Sequence, residues 1–96
     1  MKRYDPESLG DVLREAIQDA GMAERLLETQ AAAAWPTVVG RHIAALTGKP
    51  YVKKGVMQIR VATAPLRQEL NMSRSALRRL INDAVGKDVI SDLRFV

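Results

Sequence analysis

Apolar positions fall into helical spacing over the first half of the chain and into alternation soon after its midpoint. Leu9, Val12, Leu13, Ala16, Ile17 and Ala20 recur at helical intervals behind Asp5-Pro6, which supply a cap and a first-turn proline; Gly21 closes the element. A second helix is predicted from about Met22 to Ala34, with Leu26, Leu27, Ala31 and Ala34 as its apolar side. Pro36 removes a backbone donor and disfavours helical geometry at Trp35, so a kink or break is expected there. Helical spacing resumes through Val38, Val39, Ile43 and Leu46 and ends at Thr47-Gly48. Trp35 lies among helical apolar positions and reads as core.

After Pro50 the period changes. Tyr51-Val52 is a short strand, Lys53-Lys54-Gly55 a turn, and Met57, Ile59 and Val61 alternate with Gln58 and Arg60, so the pair reads as a hairpin. Thr63 and Pro65 start a helix carrying Leu66 and Leu70 inward. Asn71-Met72-Ser73 forms a joint, with Ser73 capping a further helix through Leu77, Leu80, Ile81 and Val85 that Gly86 stops. Val89, Ser91, Leu93 and Phe95 alternate as a last strand running to Val96. The expected fold is α+β, in the order α-β-β-α-α-β, with helices on one face of a three-stranded sheet. That order matches the type II KH arrangement, a nucleic-acid-binding fold. The KH signature G-x-x-G is missing: no two glycines stand three apart, and the corresponding joint reads Leu70-Asn71-Met72-Ser73-Arg74.

Composition narrows the function. The 96 residues are 47% hydrophobic and 27% charged, in keeping with one globular domain spanning 1–96. The absence of cysteine excludes disulfides, thiol catalysis and the usual structural zinc sites. No apolar run reaches the length of a membrane span, and the start lacks a secretory segment, so no membrane partner and a cytoplasmic location are expected. The single histidine, His42, has no carboxylate at helical spacing to orient it and reads as a surface or partly buried structural residue. Neither a metal-ligand cluster nor a phosphate-binding glycine loop occurs. The chain reads as a non-enzyme without a cofactor.

Charge is the informative feature. From Arg41 to Arg79 nine basic residues meet only Glu69, a local balance of +8 against a net +4 for the whole chain. Asymmetry of this size points to a polyanion or an acidic protein surface. Arg74 and Arg78 are like-charged helical neighbours, which a phosphate between them would relieve. Arg79 has Asp83 four residues on as a partner. The candidate nucleic-acid contacts are Lys53, Lys54, Arg60, Arg67, Arg74 and Arg78. For Lys54 alone, a turn lysine that keeps the hairpin soluble is the preferred reading. Aromatics make up 4%, so backbone-dominated, salt-sensitive binding is expected. Tyr51, the aromatic beside the basic hairpin, is assigned to core or edge packing.

The run from Ala34 to Pro50 resembles the DciA family of bacterial replicative-helicase operators. The resemblance is carried by Trp35, then Val38-Val39-Gly40, Ile43-Ala44, Thr47 and Pro50, followed by Gly55, the strand Val56 to Val61, and Glu69-Leu70. Pro36 and Leu66 depart from the family pattern, the latter where many members have a second aromatic. The resemblance implies a KH-like domain that binds DNA and helps load or activate the replicative helicase. Other readings are a helicase-binding adaptor with only incidental nucleic-acid contact, and an RNA-binding protein.

Overall fold

A computed structural model describes residues 21–96, and the expected helix from Asp5 to Ala20 lies outside the described residues. The elements are α1 (Met22–Ala44), β1 (Tyr51–Lys53), β2 (Val56–Ile59), α2 (Ala64–Met72), α3 (Arg74–Val85) and β3 (Asp92–Phe95). The order α-β-β-α-α-β is the one expected from the sequence.

The sheet runs β1-β2-β3. β1 and β2 form an antiparallel hairpin with Val52 opposite Met57, while β3 lies parallel to β2 with Leu93 opposite Met57 and Phe95 opposite Ile59. Alternation therefore sends Met57, Ile59, Leu93 and Phe95 to one face, where they are buried with Ala31 and Trp35 of α1, Leu70 of α2, and Leu77 and Ile81 of α3. The Trp35 and Phe95 rings meet at 6.0 Å in a tilted pair, joining α1 to the far strand.

The break in α1 is not at Pro36. Helical geometry continues through Pro36 and departs at Gly40, whose φ of 87° and ψ of 157° only glycine adopts readily. Proline's own φ is compatible with a helix, and Pro36 stands on the exposed side, so the distortion is taken up one turn later at the residue without a Cβ.

Three apolar assignments shift for reasons of phase. Leu26 is exposed because the core row is Ala31 and Trp35, which the half-buried Leu27 extends one turn back. Leu46 is exposed because it follows the helix end at Ala45. Leu80 is half exposed because Leu77 and Ile81 define the buried row, and the slot beyond them is taken by Asn82.

Among the described residues, Asn82 is the buried polar residue of the core, at 4% exposure. Its Oδ1 accepts from Val89 N at 3.0 Å and Ile90 N at 2.8 Å, and its Nδ2 donates to the Ile90 carbonyl at 2.9 Å. Its own carbonyl accepts from Gly86 N at 2.8 Å, where Gly86 ends α3 in the left-handed region. This clamp explains why the last strand begins at Asp92 rather than Val89. Val89 and Ile90 are bonded to a side chain instead of a neighbouring strand, Ser91 N is bonded to the Gly55 carbonyl of the hairpin turn, and Ile90 is buried out of the expected alternation. Thr63 caps α2 as predicted, accepting from Leu66 N. Ser73 occupies the cap position of α3 but makes no side-chain bond there.

Candidate nucleic-acid interface

The hairpin turn is set by two left-handed residues, Lys54 at φ 53° and Gly55 at φ 81°, the pairing a two-residue hairpin requires. Lys53 ends β1 and Lys54 forms the tip, both exposed. Behind the turn, Ser91 N donates to the Gly55 carbonyl at 2.7 Å, tying the tip to the entry of β3.

The sheet face opposite the core is lined by cross-strand rows. Lys53, Val56 and Asp92 form one row, and Tyr51, Gln58 and Arg94 the next. A third row continues past the named strands. Gly48 N donates to the Arg60 carbonyl at 2.8 Å, and Val96 bonds both Ile59 and Val61, so Arg60 stands between Gly48 and Val96. Lys53, Arg60 and Arg94 are exposed on this face, and the packed helices lie on the other.

A second basic group sits where α2 meets α3. Arg67 and Arg74 line an open hollow with Ala64, Gln68, Asn71 and Met72. Arg67 is half-buried, with Nη2 donating to the Val61 carbonyl at a long 3.4 Å and Nε buried without a partner. Arg74 Nε lies 3.3 Å from Asp92 Oδ1, in an ion pair whose side chains are 50% and 54% exposed. Asp92 also accepts from Leu93 N at 2.8 Å, covering an amide on the free edge of β3. Arg78 is half-buried on α3, one turn after Arg74. Arg79 is exposed, and no ion pair links it to Asp83.

The six predicted residues thus fall into two groups: Lys53, Lys54 and Arg60 on the hairpin and sheet, and Arg67, Arg74 and Arg78 on the helices. Arg74 reaches Asp92, a member of the first sheet row, so the two groups meet at the β3 edge. Arg94 was missed, although its place between the buried Leu93 and Phe95 marks it as outward-facing. Tyr51 is 53% exposed, which removes it from the core; it stands on the edge strand β1, where it also lines a hollow with Ala32, Ala33 and Pro36 of α1. His42 is exposed in the last turn of α1, and no group of three metal-ligating side chains occurs among the described residues.

These features define a small α+β domain of KH-like order, without the glycine loop and with basic residues on its uncovered sheet face and helix joint. The chain matches the family model described as "Dna[CI] antecedent, DciA" over residues 8–95, and it belongs to the DciA family. Membership carries a role connected with helicase loading and association with the replicative helicase. No curated protein matches the chain. No helix among the described residues is long and apolar enough to cross a membrane.

Proposed function

We propose that this chain is a single-domain, DNA-binding accessory of replication in the bacterial cytoplasm. It helps load or activate the replicative DNA helicase, and it is not an enzyme. Lys53, Lys54, Arg60, Arg67, Arg74 and Arg78 contact phosphates. The observation that carries the reading is the run from Arg41 to Arg79, with nine basic residues against one acidic, in a chain of the DciA family. Phosphate contacts position such a protein on its strand without reading sequence, which suits a factor acting wherever the helicase must engage.

The test is a loading assay with the cognate replicative helicase and circular single-stranded DNA, with and without the chain. Added chain is expected to raise the DNA-bound helicase, and an Arg74→Ala/Arg78→Ala variant to raise it less while still binding helicase. Equal stimulation by the variant would favour a helicase-binding adaptor that needs no DNA contact of its own.

A further inference from the structure

We propose that the open face of the sheet is a docking surface for single-stranded DNA, with Tyr51 as its base-stacking platform and Lys53, Arg60 and Arg94 on the phosphates. The inference rests on the DNA-binding reading above and adds the strand type and the surface.

The face is built for a flexible strand rather than a duplex. Tyr51 is 53% exposed on β1, and its hydroxyl has no hydrogen-bond partner among the described residues. A large aromatic left in water on a flat sheet offers a stacking surface to any base, and such stacking needs a base freed from its pair. In the same cross-strand row stand Gln58 and Arg94, one and two strand spacings away, about 5 and 10 Å. A base on the Tyr51 ring would therefore have amide and guanidinium donors alongside it, and a phosphate neighbour within reach of Arg94.

Among the described residues, charge on this face has one sign once its internal pair is considered. Lys53 and Arg60 stand in the flanking rows, and Lys54 at the hairpin tip. Asp92 is the acidic member, and it is engaged by Arg74 and by the Leu93 amide. Gly48 stands close beside Arg60, and a Cβ there would lie 3.4 Å from the Arg60 Cβ. Tyr51 and the cations thus share one plane that no other described element covers, the condition for tracking a backbone while stacking its bases.

The test uses the full chain with a fluorescein-labelled oligothymidylate and a duplex of equal length, read by anisotropy across salt concentrations. Tyr51→Ala is expected to weaken single-strand binding by about tenfold or more. It should leave duplex binding and the salt slope unchanged, and Tyr51→Phe should bind like the wild type. Arg94→Gln is expected to weaken binding and to reduce the single-strand salt slope by about 0.7. Thermal unfolding of each variant verifies that its fold is intact. Wild-type affinity in Tyr51→Ala, alongside weakened binding in Arg74→Ala/Arg78→Ala, would place the strand on the helix joint and overturn this inference while the DNA-binding reading stands. No binding by the wild-type chain at low salt would overturn both.

Discussion

The indole Nε1 of Trp35 donates to the Thr47 hydroxyl at 2.9 Å, and that hydroxyl donates in turn to the Ala44 carbonyl at 3.0 Å. One threonine therefore satisfies the polar edge of a tryptophan that is 1% exposed and holds the chain as it leaves α1. Thr47 also bridges to Val61, so the same residue registers the helix exit against the sheet. This bond accounts for the spacing of tryptophan and threonine through which the sequence resembles its family.

Thr47→Val keeps the shape but leaves the indole N–H buried and unpaired. It is expected to lower unfolding free energy by about 1–3 kcal/mol, whereas Thr47→Ser retains most of the stability. Urea unfolding followed by the fluorescence of Trp35 measures both. Equal loss in the serine variant would show that the methyl group, not the hydroxyl, is what matters.

The glycine of the Val38-Val39-Gly40 motif has a similarly physical basis. At φ 87° and ψ 157°, Gly40 absorbs the break in α1, and a Cβ there would meet no neighbour within 4 Å. Gly40→Ala is therefore expected to destabilise through backbone strain alone, by about 1–3 kcal/mol. A calorimetric melt of the alanine variant that matched the wild type would mean the helix can run straight through this position.

Removing the Asn82 side chain uncovers two amides and a carbonyl between α3 and β3. Asn82→Ala is expected to cost on the order of 2–4 kcal/mol and to raise amide exchange at Val89 and Ile90 first. Hydrogen exchange resolved by residue reads both effects, and unaltered protection at Ile90 would contradict the clamp.

How much was legible beforehand follows from which interactions are local. Alternation at Met57, Ile59 and Val61 and the cap at Thr63 depend on near neighbours, and the element order could be read from them. The position of the α1 break could not, because proline tolerates helical φ and the glycine that yields is four residues away. Asn82 was overlooked because a polar residue next to Ile81 gives no sign of the loop it will bind. Leu80 was placed inward for the same reason. On the surface, basic residues could be counted but not grouped. Whether Arg74 joins the sheet depends on Asp92, which is 18 positions away in sequence. The exposure of Tyr51 likewise depends on which sheet face the helices cover.

The Arg74–Asp92 pair holds back one cation of the proposed interface. An exposed pair of this kind contributes about 0–1 kcal/mol to stability. Asp92→Asn is thus expected to leave the melting temperature nearly unchanged while raising DNA affinity at low salt by a few-fold. Weaker binding in this variant would mean that the pair aligns Arg74 for the strand.

Phosphates binding to the basic residues of the hairpin, sheet and helix joint would release counterions, and the salt dependence of affinity measures that release most directly. If the six predicted side chains and Arg94 engage phosphates, the plot of log affinity against log salt for single-stranded DNA should have a slope of about −5. Arg74→Ala/Arg78→Ala should flatten it by about 1.4. A flat plot for the wild-type chain, or a slope unmoved in the double variant, would contradict the account.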